Sequence, residues 1–337
     1  MSTHVDTALN TVDYAEYTTY EDGSKVRESS APAIIEALTR ALEPAPGMRI
    51  LEIGTGSGYS GALLAAITGP EGHVTSIDID PKLVNRARNK HADTHHVNID
   101  VICGNGYHGW ETNAPYDRIV AWTCPPQLPR EWTDQLAPDG VIVTPLSAVD
   151  VTTGSITAKL AVANGKPVVT CVMEGSFVPF HGPEGFDVTM LTLPGTRTVT
   201  NGGVTVQLCA QQLSADTTDT LAAGLADAAA VEDVLVDVGE HITTSEARTN
   251  LRWWLLAHPD AAEGFADGEL FVGVATEAGA AVYELDTGTV RRTGAPELVT
   301  TLKGRLAAWA ASADQTVNAL TIQLDETPTG WNAALHA

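Results

Sequence analysis

The chain has 337 residues, room for two ordinary domains, and its 44% hydrophobic and 18% charged residues make a globular composition able to fill a core. A formal net charge of −23 repels phosphate and disfavours DNA or RNA as a partner, whereas it suits solubility or a basic peptide. No apolar run reaches the length of a membrane span, so no membrane partner is expected, and the opening MSTHVDTALN lacks the basic-then-apolar pattern of a secretory signal.

Taken in chain order, residues 1–28 are polar and carry Tyr14, Tyr17 and Tyr20. From Ala31 to about Leu42, apolar residues recur at helical spacing (Ile34, Ile35, Leu38, Leu42), which predicts an amphipathic helix ended by Pro44 and Pro46. Ser30 stands just ahead of Ala31-Pro32, where a helix cap would stand; spacing alone leaves open whether it caps or touches chemistry. MRILEIGTGSGYSGALLAAI then reads as strand, glycine-rich turn and helix. HVTSIDID is a second strand ending in acid, with Asp80 as N-cap of a helix that Pro81 begins. NIDVICGNG, YDRIVAWT and VIVTPL are further strands, with REWTDQLAPDG as helix and turn before the last. Strands alternating with helices predict a doubly wound α/β sheet.

After Leu146 the rhythm changes. Asn164-Gly165 joins two β-like runs as a hairpin, and residues 181–186 read as a loop. Beyond it come strands, an Ala-rich helix near 217–230, a helix around 248–257, paired strands over GELFVGVATEAGAAVYELD, a helix over PELVTTLKGRLAAWAASA and a last strand in NALTIQLDE. This predicts an α/β domain over 1–185 and a C-terminal α+β domain over 186–337. The four cysteines, Cys103, Cys124, Cys171 and Cys209, form no C-x-x-C pair and have no histidine cluster, so no metal site is expected. Three lie in apolar, strand-like stretches, where a free thiol packs as a small hydrophobe in a reducing cytoplasm.

Gly54, Gly56 and Gly58 let the backbone turn tightly and let a ligand approach the main chain at the first strand-to-helix crossover, where doubly wound folds bind nucleotides. Asp78, at the end of the next strand, is placed to accept hydrogen bonds from ribose hydroxyls. The G-x-G-x-G spacing differs from the G-x-G-x-x-G of dinucleotide sites, and Glu52 puts acid just before the loop. That charge suits a cofactor with an amine and a sulfonium and opposes a pyrophosphate, which favours S-adenosylmethionine over NAD.

MRILEIGTGSGYSGALLA, SIDIDPKLV, VICGNG, APYDRIV and QLAPDGVIVTPL resemble, in order and spacing, the protein-L-isoaspartate O-methyltransferases. Tyr20-Glu21-Asp22 and Ser30-Ala31-Pro32 resemble that family's Y-x-D and S-x-P elements, and SFVPF its F-V-P-L, so the likeness covers roughly residues 10–185. The resemblance implies a class I, Rossmann-like methyltransferase fold, S-adenosylmethionine, and a peptide carboxylate as acceptor. It implies a donor site of Glu52, Gly54, Thr55, Gly56, Ser57, Gly58, Asp78 and Ile79, with Asn105 and Gly106 beside adenine. It puts Ser30 in the place of the active-site serine, with Ser29 and Ala31 lining the acceptor pocket and His181 as a further candidate where the family closes over its site.

Three departures stand out: Asn105 where the family has aspartate, Trp122-Thr123-Cys124 where it has threonine and alanine, and the long C-terminal extension. Trp122 and Thr123 end a strand on the ligand side; whether Trp122 lines the acceptor pocket or packs into the core is open. The extended form resembles methyltransferases that methylate an aspartate of a dedicated, ribosomally made precursor peptide, the ester then closing to an aspartimide. That maturation role is the first expectation, with the extra domain gripping the peptide or merely stabilising or dimerising the catalytic half. General repair of isoaspartyl residues is the alternative, and a non-catalytic nucleotide- or peptide-binding module is a third. Oligomeric state is not legible.

Overall fold

A computed structural model describes residues 3–152, 154–163, 165–175, 177–181, 195–227, 231–232 and 242–337. The chain divides into two compact units. The first takes residues 1–147, 155–186 and 324–333, and the second takes 148–154, 187–323 and 334–337. The division expected at 185/186 falls outside the described residues, and a short stretch on each side of that line belongs to the other unit.

The first unit opens with α1 (Thr3–Thr11), α2 (Tyr14–Thr18) and α3 (Pro32–Leu42). Periodicity predicts only the third; the stripe of Val5, Ala8 and Val12 that buries α1 is too short to stand out among polar neighbours. Ile35, Leu38 and Leu42 are the buried face of α3. Its N-cap is Ala31, with no side-chain cap bond, so the cap reading of Ser30 does not hold. Pro32 supplies the preset φ that starts this helix without a capping side chain.

Next come β1 (Arg49–Ile53), α4 (Tyr59–Thr68), β2 (His73–Asp78), α5 (Pro81–Asp93), β3 (Ile99–Cys103), β4 (Tyr116–Ala121), β5 (Leu128–Pro129), α6 (Arg130–Asp134), β6 (Leu136–Leu146), β7 (Ile156–Ala163) and β8 (Lys166–Met173). Asp80 caps α5 as predicted, its carboxylate accepting from Lys82 N at 2.7 Å. The sheet order is β3-β2-β1-β4-β6-β7-β8. Its first five strands are parallel, and the hairpin β7–β8 extends it antiparallel from β6. Because β1 lies between β2 and β4, the chain reverses winding direction there, and a ligand crevice belongs at the carboxyl ends of these two strands. Ile50 of β1, whose last four residues are all buried, packs with the nearly all-buried α4 in the core of this unit.

In the second unit, β9 (Arg197–Asn201), β10 (Val204–Cys209), α7 (Ala215–Leu225), β11 (Val231–Glu232), α8 (Ser245–Leu256), β12 (Ala261–Ala266), β13 (Glu269–Thr276), β14 (Gly279–Glu284), β15 (Val290–Gly294) and α9 (Glu297–Ala310) form an antiparallel sheet with helices. Its order is β11-β15-β14-β13-β12-β10-β9. The Ala-rich helix is α7, ending at Leu225; residues 228–230 of the expected span lie outside the described residues. The predicted last strand is β16 (Thr321–Thr327), but β17 (Gly330–His336) follows it. Within the first unit, which takes residues 324–333, Gly330 and Trp331 pair with Pro129 and Leu128 of β5, and the Arg130 guanidinium sits 4.8 Å from the centre of the Trp331 ring. No described helix is long and apolar enough to cross a membrane.

Candidate active site

The glycine loop closes the carboxyl end of β1. Gly54 and Gly58 have φ of +92° and +86°, conformations that favour glycine. At Gly56 a Cβ would lie 2.2 Å from the Glu28 carbonyl oxygen, so only glycine lets the segment ahead of α3 press onto the loop. That contact brings Glu28, and with it the adjoining Ser29 and Ser30, toward the glycine loop, Glu28 and Gly56 being 28 residues apart in sequence.

Asp78 lies across from this loop. Its Oδ2 accepts from Gly56 N at 2.9 Å and its Oδ1 from Asp80 N at 3.0 Å. Burial raises its pKa, those two bonds oppose the rise, the Asp80 charge adds to it, and His181 opposes it. A carboxylate has about four acceptor positions, so about two remain for ribose hydroxyls. Beyond Asp78, a cleft of about 490 Å³ is lined by Ile77, Gly104, Asn105, His108 and Trp110, among others. Asn105 caps a 3-10 turn through Oδ1, which accepts from Tyr107 N, leaving its amide donor for a ligand. A Cβ on Gly106 would lie 2.6 Å from Ile53 Cγ2, which explains the glycine after Asn105. Thr55 and Ser57 of the loop are buried and Ile79 is half-buried; Arg86 donates to the Ser57 carbonyl at 2.8 Å and its guanidinium lies 5.1 Å from the Tyr20 ring centre.

Glu52 sits beneath the loop with no exposed surface. Its Oε1 accepts from Ser60 Oγ at 2.5 Å and from Trp122 Nε1 at 3.0 Å, and its Oε2 from Ser76 Oγ at 2.6 Å. Ser76 faces it because Glu52 and Ser76 are register partners of β1 and β2. Thr55 Oγ1 is 2.6 Å from Ser76 Oγ and, with Ser76 donating to Glu52, is the donor there. Burial pushes the Glu52 carboxyl up to about 7, against the pull of the three donors.

On the acceptor side, the Tyr14 hydroxyl donates to the Ser30 carbonyl at 3.1 Å, while no described residue bonds the half-buried Ser30 hydroxyl. Ser29 Oγ is buried without a hydrogen-bond partner, and Ala31 is exposed at the helix start. Trp122 is packed into the core, 9% exposed, its ring centre 6.3 Å from that of Phe177. Residues 177–180 are held to the end of β4. Cys124 N donates to Val178 O at 2.8 Å, Phe180 N to Cys124 O at 2.9 Å, and Thr123 Oγ1 to Val178 O at 2.8 Å. The hydroxyl of Thr123 is thus committed to backbone. Burial pushes the Cys124 thiol up to about 12, so it is no nucleophile at neutral pH. His181 Nδ1 donates to Pro179 O at 3.3 Å, and the ring is near enough to Asp78 to act on its charge. Among the described residues no cluster of three metal-ligating side chains occurs.

The loop amides, the two free positions on Asp78 and the unpartnered hydroxyl of Ser29 fit an S-adenosyl donor with an acceptor beside it. The family described as protein-L-isoaspartate(D-aspartate) O-methyltransferase (PCMT) matches residues 2–185. The chain belongs to this family. Membership makes it an S-adenosylmethionine-dependent carboxyl methyltransferase on a class I fold.

A protein-L-isoaspartate O-methyltransferase of Methanothrix thermoacetophila is 36% identical over 159 residues, 47% of this chain and 72% of that one. One from Methanothermobacter thermautotrophicus is 39% identical over 119 residues, 35% of this chain and 55% of that one. A solved protein-L-isoaspartate O-methyltransferase structure aligns with a TM-score of 0.52 at 17% identity, covering 99% of this chain and 95% of its own. The fold of the second unit is therefore shared with another PCMT structure.

The family motifs pointed to the loop, Asp78 and the 29–31 segment. Ser60, Ser76, Arg86 and Phe177 were missed. For Ser76 a signal existed: it stands two residues before Asp78, as Glu52 stands two before Gly54, so in parallel register the two face each other.

Proposed function

We propose that this chain methylates the side-chain carboxylate of an isoaspartyl or aspartyl residue in a peptide or protein, with repair of isoaspartyl residues as its role. The observation that carries the reading is the close approach of Glu28 to Gly56, which sets Ser29 and Ser30 against a donor loop tied to Asp78. Bound S-adenosylmethionine supplies an electrophilic methyl group on a sulfonium. The acceptor carboxylate is ionised at neutral pH, so the protein's task is alignment and exclusion of water rather than proton removal. Ser30 Oγ orients the acceptor, backbone groups at Ser29 and Ala31 line its pocket, and residues 177–181 cover it.

Maturation of a dedicated precursor, with aspartimide closure of the ester, is the second reading. It has Trp122 and Asn105 in its favour, both departures from the family pattern. The C-terminal extension no longer argues for it, since a solved PCMT chain is matched along nearly its whole length. Incubation with labelled donor and a generic isoaspartyl peptide, its aspartyl counterpart, or a precursor encoded beside the gene separates the two. Label on the isoaspartyl peptide is expected. Label on the precursor alone would replace repair by maturation, and donor binding by calorimetry with no transfer to any peptide would overturn both.

A further inference from the structure

Trp122 touches two parts of the site at once. On one side its indole donates to the fully buried Glu52, directly under the donor loop. On the other its ring meets Phe177, the first residue of the segment hydrogen-bonded to Thr123 and Cys124. We propose that Trp122 is a positioning residue that links the charge state of Glu52 to the seating of residues 177–180 over the acceptor.

Three donors converge on Glu52, from α4 (Ser60), β2 (Ser76) and the end of β4 (Trp122), and it has no ion pair among the described residues. Asp78, on β2, is the neighbouring negative charge. From α5 the buried His91 reaches the same spot: a Cβ on Gly61 would lie 2.9 Å from Glu52 Oε2 and 3.7 Å from His91 Nε2. Burial holds His91 down at about 4, so it is neutral when Glu52 titrates. A serine can rotate to accept a proton from a neutral carboxyl, but an indole N–H has no acceptor form. Protonation of Glu52 therefore replaces the charge-assisted indole bond by a weaker neutral one, and the bond's strength follows the carboxylate. A positively charged donor favours the ionised form and so tightens Trp122 against Phe177. This last step rests on the donor reading above; the link between Glu52 and Trp122 does not.

The test is nuclear magnetic resonance on the full chain without donor, with Trp122→Phe identifying the indole resonance by its loss. That resonance is expected to titrate between about pH 6 and pH 8 in the wild type and to stay fixed in Glu52→Gln. Protection of the Cys124 and Phe180 amides, taken relative to their intrinsic base-catalysed exchange, should rise across the same midpoint, and that rise should vanish in both variants. Trp122→Phe should raise KM for acceptor peptide about tenfold, leaving the donor Kd within about twofold. S-adenosylhomocysteine, which keeps the amine, should move the midpoint down. A wild-type indole resonance indifferent to pH, or exchange at Cys124 and Phe180 alike in all three proteins, overturns the proposal. Titration without any effect of S-adenosylhomocysteine overturns the donor step alone. If Trp122→Phe fails to fold, Glu52→Gln carries the comparison with the indole in place.

Discussion

The two units bury carboxylates in opposite ways. In the second, Glu263 meets Arg252 at 2.6 Å and Glu284 meets Arg291 at 2.5 Å, so each nearly buried acid has its own cation. In the first, Glu52 is more deeply buried than either, yet among the described residues only neutral donors reach it. An acid matched by arginine is complete without a ligand and serves the fold. An acid held by hydroxyls and an indole keeps its charge unbalanced, and that imbalance favours a cationic ligand at the loop above it.

The largest expected effect breaks the matched side. Arg252→Ala strands Glu263 and removes the clasp on Thr152 Oγ1 at 2.7 Å; unfolding stability should fall by about 4 kcal/mol in thermal or denaturant melts.

The unmatched side shows itself in pH slopes. Unfolded Glu52 loses its proton near 4.5 and folded Glu52 only near 7, so stability should decline as pH rises through that window, and Glu52→Gln should abolish the decline. His91 has the opposite sign. Unfolded it gains a proton near 6.5, folded only near 4, so stability should fall by roughly 3 kcal/mol as pH drops between them, a loss that His91→Leu should remove. Melts of the two variants from about pH 4 to pH 8 separate slopes that partly cancel in the wild type.

Gly56→Ala drives a Cβ to within 2.2 Å of the Glu28 carbonyl and displaces the Ser29–Ser30 segment; methyl transfer should fall on the order of a hundredfold, read as initial rates. Ser30→Ala is the mildest. With no cap bond to lose, the melting temperature should stay put while kcat/KM drops about fivefold, the worth of one hydrogen bond. A lowered melting temperature with an unchanged rate would return Ser30 to the fold.

Much of the first unit is legible from local pattern. The strand, glycine turn and helix at 49–68, the acid at the end of β2 and the Asp80-Pro81 helix start are each determined by neighbours a few residues apart, where backbone geometry leaves few choices. The second unit was legible as strands and helices; in the first, the return of residues 330–331 to β5 was not. That pairing joins residues about 200 positions apart, and nothing in WNAALHA names the partner.

The residues by themselves favour an S-adenosyl donor, because a glycine loop with acid at the next strand end is local chemistry; the carboxyl acceptor follows from the family match. What each buried group does there depends on long-range contact. Ser30 is not a cap because Pro32 and Ala31 start α3 without it, and it lies by the donor loop because Glu28 packs on Gly56. Trp122 points inward because Glu52, 70 residues earlier and fully buried, offers its indole an acceptor. A side chain's type sets which bonds it can make; burial beside a distant partner selects the one it makes.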